Sequence, residues 1–230
     1  MIPEKLHEVE KKIKESCAKR TRVAKDEPVQ LVAVTKNHDI YAMREAIDAG
    51  VAVVGENRVQ EAKGKYTTLE RDVTWHLIGH LQTNKAKQAV KMFDLIHSVD
   101  SEHLALALDE AAGKIGKVQD ILLQVNLAKE DSKFGIYKED LPALLQKVDT
   151  LENLHLRGLM CIAPNYDNVE ECRPLFHEMY DIFLKVKEMK WQRANIEYLS
   201  MGMTHDYTIA IEEGANIVRV GTAIFGERQY

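Results

Sequence analysis

The feature that most constrains this chain is a repeated alternation between short β-branched runs and longer stretches of helical period. The clearest runs are Val29 to Thr35, Val51 to Val54, Ile121 to Val125 and Ile217 to Val220, and each is set apart from the next by amphipathic sequence. Weaker strand signals at Trp75 to Ile78, Leu95 to Val99, Leu156 to Met160 and Glu197 to Ser200 bring the expected strand count to about eight. Parallel neighbours need a crossover between them, so strands alternating with helices predict βαβ units and a parallel sheet. About eight such units predict closure into a (β/α)8 TIM barrel, an α/β fold, rather than an open sheet.

The helices between these runs carry readable ends. Asp39 stands as a cap, Ile40, Met43 and Ile47 form a stripe, and Gly50 marks the stop. Ser101 opens a second helix bearing Leu104, Ala107, Leu108 and Ala111. Ahead of the first strand, Leu6, Val9, Ile13 and Cys17 sit at helical spacing between charges, which predicts an extra amino-terminal helix. After the last strand only a few residues remain before Tyr230, so no eighth barrel helix is expected, and the amino-terminal helix is expected to cover the seam between the last strand and the first. With 230 residues, no Pro/Gly/Ser-rich linker and no fixed internal period, residues 1–230 read as one domain.

Composition narrows the function. A net charge of -5 argues against nucleic acid or a membrane surface as partner, because both demand a cationic face. The three cysteines, Cys17, Cys161 and Cys172, are odd in number and lack C-x-x-C spacing, which supports neither a disulfide framework nor a zinc ribbon. The charged start, MIPEKLHEVEKKIKES, has no apolar leader, and no apolar run approaches the roughly 18 residues of a membrane span. A cytoplasmic protein is expected.

Four features point to chemistry. Lys36 ends the run LVAVTK, and in a barrel the carboxyl ends of the strands form the active site. Val32, Val34 and Lys36 share one strand face, so inward valines predict an inward ammonium group, whose desolvation would favour the reactive amine. Arg219 shares a face of the last strand with Ile217 and Gly221; turned inward, it needs an acceptor, either a ligand atom or a barrel carboxylate. The small-residue turns Ser200-Met201-Gly202-Met203 and Gly221-Thr222-Ala223 follow the last two strands, where barrels recurrently cradle phosphate. Asn57 follows the second strand, placed either to reach a ligand oxygen or to cap the next helix.

Other motifs carry less. His76 and His80 have metal-ligand spacing only on a helix, whereas Leu77-Ile78-Gly79 reads as a strand entering a turn, so no metal is expected. No G-x-S-x-G elbow surrounds a serine, and His205-Asp206 lacks a nucleophile. Phe176, Met179, Tyr180, Phe183 and Val186 form the core face of a helix. The irregular stretch Asn126 to Gly135, with Lys133, is expected to be a solvated rim loop.

Taken in order, several blocks resemble the YggS/PROSC family of pyridoxal phosphate homeostasis proteins. They are AVTK at Ala33 to Lys36, GENRVQEAKGK at Gly55 to Lys65, WHLIGHLQTNK at Trp75 to Lys85, SVDS at Ser98 to Ser101, LRGLM at Leu156 to Met160, LSMGMTHDY at Leu199 to Tyr207 and VRVGTAIFGER at Val218 to Arg228. The resemblance implies the fold of the amino-terminal barrel of alanine racemase, with pyridoxal 5′-phosphate (PLP) held as a Schiff base on Lys36. It also implies that Arg219 approaches the pyridine nitrogen, that Ser200, Gly221 and Thr222 hold the phosphate with Met201 flanking it, and that Asn57 lies near the phenolic oxygen. Thr204 stands where relatives often carry Ser, and a hydroxyl is kept.

A cation beside the pyridine nitrogen disfavours its protonation and weakens the ring as an electron sink. The resemblance therefore implies a PLP carrier without robust catalysis, serving vitamin B6 and amino-acid balance, with apo PLP-dependent enzymes as partners. A monomer is expected, since the racemase's second domain has no counterpart in this sequence. Two alternatives stay open. One is a small PLP-dependent racemase using Lys36 with Tyr207 or His205 as bases, and the other a barrel that binds a phosphorylated metabolite without PLP.

Overall fold

The structure is a computed structural model and describes residues 1–227. Arg228, which ends the last of the blocks above, lies outside the described residues. After helix α1 (Ile2–Ala18), strands and helices alternate: β1 (Gln30–Val34), α2 (Ile40–Asp48), β2 (Val53–Glu56), α3 (Val59–Tyr66), β3 (Thr74–Leu77) and α4 (Ala86–Met92). The second half continues with β4 (Leu95–Val99), α5 (Glu102–Lys114), β5 (Gln119–Val125), α6 (Leu141–Asp149), β6 (Leu154–Cys161) and α7 (Arg173–Glu188). It ends with β7 (Tyr198–Ser200), α8 (Tyr207–Glu212), β8 (Ile217–Val220) and α9 (Thr222–Phe225).

The eight strands form a closed parallel barrel in sequence order, sealed where β1 pairs with β8 from Gln30↔Ile217 to Ala33↔Val220. Closure leaves no unpaired sheet edge. Alternation along the strands splits the apolar residues between two cores. Val32 and Val34 point into the barrel with Val53, Leu95, Leu122, Met160 and Ile217, while Ala33, Val54, Ile96, Leu123 and Val218 face the ring of helices.

Several boundaries differ from the sequence expectation, each for a local reason. β2 begins at Val53 rather than Val51, because the Val51 amide is taken by the Ala46 carbonyl in the last turn of α2. β5 and β6 start earlier, at Gln119 and Leu154, where polar residues conceal the strand. The expectation that no helix follows the last strand is corrected: a single turn, α9, is formed there, although it is too short to cover a barrel face.

α1 packs against α8, α9 and α2, and so lies over the β8–β1 seam. Leu6, Val9 and Ile13 are its buried face. Arg20, just beyond its end, is buried and donates to four carbonyls, those of Ala24, Glu27, Ile211 and Ala215. One guanidinium thereby ties the α1 exit to the approach of β8.

Candidate functional site

A cavity of about 500 Å³ opens at the carboxyl ends of the strands, within the range of roughly 300–1,000 Å³ common to small-molecule sites. Lys36, two residues past β1, lines it, and the inward direction of Val32 and Val34 carries through to this side chain. Asn57 enters from the residue after β2, and Gly221 and Thr222 from the turn after β8. Arg219 forms part of the floor and is 2% exposed. Gly79 fixes the β2 and β3 loops against each other, since a Cβ there would overlap the Asn57 carbonyl oxygen and stand 2.7 Å from the Asn57 Cα. Only glycine permits that approach.

Beneath the cavity the barrel interior turns polar. Arg219 Nη1 donates to Ser200 Oγ at 2.5 Å and Nη2 to the Cys161 carbonyl at 3.0 Å. Ser200 Oγ lies 2.9 Å from His97 Nδ1, and His97 Nε2 lies 2.9 Å from His76 Nδ1. An arginine can only donate, so Ser200 Oγ accepts from Arg219, and the arrangement that leaves no hydroxyl proton unpaired sends the Ser200 proton to His97 Nδ1. His97 therefore carries its proton on Nε2 and passes a hydrogen bond to His76 Nδ1, which assigns the tautomer of both rings from the network. Burial holds His76 down to about 3, and burial, then His76 and Arg219, hold His97 well below its usual value, so both rings are neutral. Arg219 is lowered by burial, with the Cys161 thiol and the Asp206 carboxyl pulling the other way from a distance, but a guanidinium stays charged. Among the described residues no carboxylate forms an ion pair with it, so the charge it turns toward the cavity floor is held by oxygen acceptors alone.

The rim is built from loops. His80 stacks on Phe134 with centroids 3.7 Å apart, joining the loop after β3 to the loop after β5. His38 stacks on Phe225 at 4.7 Å, joining the loop after β1 to α9. Lys133 also lines the cavity, and its Nζ donates to the Ala163 carbonyl while pairing with Glu130. The Asn126–Gly135 stretch is thus a rim loop, but one that contributes cavity wall as well as charge.

Of the seven residues singled out from sequence, Lys36, Asn57, Arg219, Gly221 and Thr222 meet in this cavity. Ser200 and Met201 do not line it. The Ser200 side chain is fully buried one layer below, occupied by Arg219 and His97, and Met201 is buried in the outer core. Thr204 takes the nearer place: it lines the cavity, and its Oγ1 accepts from the Gly221 amide at 3.2 Å. His76 and His80 part company, one in the interior network and the other on the rim, and among the described residues no group of three His, Cys, Asp or Glu gathers to hold a metal. His205 lines the cavity, whereas Tyr207 is buried in the outer core. Sequence reasoning missed His97 in the interior network, and Gln124 and Phe134, which line the cavity. The parity of Leu95 and His97 on one strand face was the available signal for the first.

The sequence pattern of the family described as alanine racemase, N-terminal domain, matches residues 10–229. The pyridoxal phosphate homeostasis protein of Aquifex aeolicus (strain VF5) is 40% identical over 228 residues, 99% of this chain and 98% of the relative. PipY of Synechococcus elongatus PCC7942, solved with PLP bound, superposes with a TM-score of 0.85 at 40% identity, covering 98% of this chain and 100% of that one. An alanine racemase of Clostridium difficile 630 shares the fold alone, with a TM-score of 0.72 at 16% identity over 99% of this chain and 58% of its own length. The barrel, the lysine that follows its first strand and these matches across the whole length agree: the chain belongs to the alanine racemase N-terminal domain family, among the pyridoxal phosphate homeostasis proteins.

Proposed function

We propose that this protein binds PLP and serves its homeostasis, holding the cofactor covalently on Lys36 and releasing it to apo PLP-dependent enzymes. The observation that carries the reading is a primary amine, Lys36, sharing one cavity with a buried guanidinium, Arg219, and with the small hydroxyl-bearing turn at Gly221 and Thr222. When bound, PLP supplies an aldehyde that condenses with a primary amine and a ring that draws electrons from the attached carbon.

The residues present fit that group. Lys36 supplies the amine. Thr222 and Thr204 supply hydroxyls beside Gly221, whose missing side chain keeps the turn close to Val34: a Cβ there would sit 3.3 Å from the Val34 Cβ. In this reading Thr204, Gly221 and Thr222 hold the phosphate, Asn57 donates to a ring oxygen, and Ser200 acts from below by orienting Arg219. Met201 is left with packing only. Arg219, charged and held by oxygen acceptors, keeps a proton off any ring nitrogen set against it. Such a site retains the cofactor while favouring carbanion chemistry poorly, which supports a carrier without robust catalysis.

The same reading takes the carrier to be cytoplasmic and monomeric. Cys17, Cys161 and Cys172 are free thiols, which suits a reducing compartment. Titration of the wild type with PLP is expected to raise a visible absorbance band that borohydride locks onto Lys36, and Lys36→Ala is expected to lose both. A colourless wild type with no mass added at Lys36 would sink the proposal. The racemase alternative has His205 as its second base, because Tyr207 lies outside the cavity. Deuterium uptake at Cα of L-alanine above a Lys36→Ala control would favour it.

A further inference from the structure

α3 presents two side chains, one turn apart, to the backbone on either side of Lys36. Lys65 Nζ donates to the carbonyl of Thr35 at 2.8 Å, and Glu61 Oε1 accepts from the amide of Asn37 at 2.6 Å. The two side chains also bind each other, at 2.8 Å. Residues 35 and 37 are thus gripped from one helix while the residue between them lines the cavity.

The Lys65 side of the grip is buried and anchored a second time, whereas the Glu61–Asn37 contact lies at the exposed edge of the cluster. Lys65 donates to Glu56 Oε1 at 2.8 Å, and Thr35 Oγ1 donates to the same oxygen at 2.5 Å. Glu56 is completely buried and Lys65 is 8% exposed. Strand parity explains the placement: Val34 and Lys36 face the barrel, so Thr35 faces outward, and Glu56, next after inward-facing Gly55, faces outward beside it. The charged cluster therefore sits between the barrel and α3, behind the wall that carries Lys36.

The backbone turns sharply here: Asn37 adopts φ 62°, the left-handed conformation that asparagine tolerates best among side-chain-bearing residues. The cost lies in Glu56. Glu56 is raised by burial against the pull of Lys65 and Thr35, and its Oε2 has no hydrogen-bond partner among the described residues. A core built for stability alone would fill this space with apolar side chains. A fixed exit for Lys36 requires both backbone neighbours to be held, and the cluster holds both.

We propose that Lys65 and Glu61 are positioning residues that set the direction of the Lys36 amine, acting through the Thr35 carbonyl and the Asn37 amide. The inference rests on the PLP reading above for its functional consequence but not for its geometry. It assigns to the GENRVQEAKGK block, through Glu61 and Lys65, a role in aiming an amine that lies earlier in the chain, at the end of β1.

Two readouts test it. Lys65→Met keeps the length of the stem and removes the charge; loss of amide-exchange protection at Asn37 in the cofactor-free protein is the expected geometric result. In binding, Lys65→Met is expected to weaken PLP by about tenfold or more while changing pyridoxine 5′-phosphate, which has an alcohol in place of the aldehyde, by less than about twofold. General damage to the barrel would weaken both ligands equally, and that result, or unchanged PLP affinity, overturns the proposal. Should the single variant fail to fold, Lys65→Met with Glu56→Gln leaves no unpaired buried charge and carries the same two measurements. If the wild type binds no PLP at all, the cofactor reading fails separately, and retained protection of the Asn37 amide in the variant still overturns the clamp.

Discussion

Ser200 Oγ, His97 and His76 form a single file of hydrogen bonds whose direction is dictated by a residue at one end, Arg219, that has protons to give and no lone pair to receive. The file makes the interior intolerant of acid. His76 titrates at about 3 in the folded protein, against roughly 6.5 unfolded. Between those values the unfolded chain binds a proton that the folded chain does not, so stability is full above the unfolded value and falls as pH drops. At pH 5 the loss attributable to His76 is about 2 kcal/mol. Urea midpoints at pH 7 and pH 5 check this: the fall is expected to shrink by about that amount in His76→Gln, and an unchanged fall would refute the assignment of a neutral ring. At this scale the sequence disclosed Lys36, Asn57, Arg219, Gly221 and Thr222, because parity and strand ends predict which side chains converge. It concealed that Ser200 sits a layer below the cavity, since depth along a barrel axis depends on stagger between strands, which no local pattern encodes.

β6 and β7 approach closely at a glycine. Gly158 has φ 153°, and a Cβ there would overlap the Tyr198 carbonyl oxygen on the neighbouring strand and stand 2.7 Å from its carbonyl carbon. Gly158→Ala is expected to destabilise the fold by about 3 kcal/mol or more, from overlap and backbone strain together. Chemical denaturation would show it, and a midpoint within error of wild type would contradict the close approach. Helix ends were more legible than such contacts. Asp39 caps α2 by accepting from the Ala42 amide, and Ser101 caps α5 by accepting from Leu104, as their positions ahead of apolar stripes predict. Caps are written within a few residues of sequence, whereas the fit of Gly158 against Tyr198 joins two strands separated by the whole of α7.

The whole molecule depends on how α1 closes the seam. Arg20 fastens α1 to the α8–β8 connection through the Ile211 and Ala215 carbonyls. Arg20→Met would leave buried acceptors unmet and is expected to cost about 3 kcal/mol, lowering the thermal midpoint without altering the cavity; full stability in that variant would show that the seam is held by apolar contact alone. By itself, the sequence determined the order of strands and helices, which residues share a strand face and the amine at the end of β1, because side-chain periodicity and capping act over a few residues. Tertiary structure alone decided that Arg219, Ser200, His97 and His76 share one wire, that Lys65 and Glu61 bracket Lys36, and that Thr204 rather than Ser200 reaches the cavity. Those groups are brought together by the closure of a staggered barrel, and closure is a property of all eight strands at once.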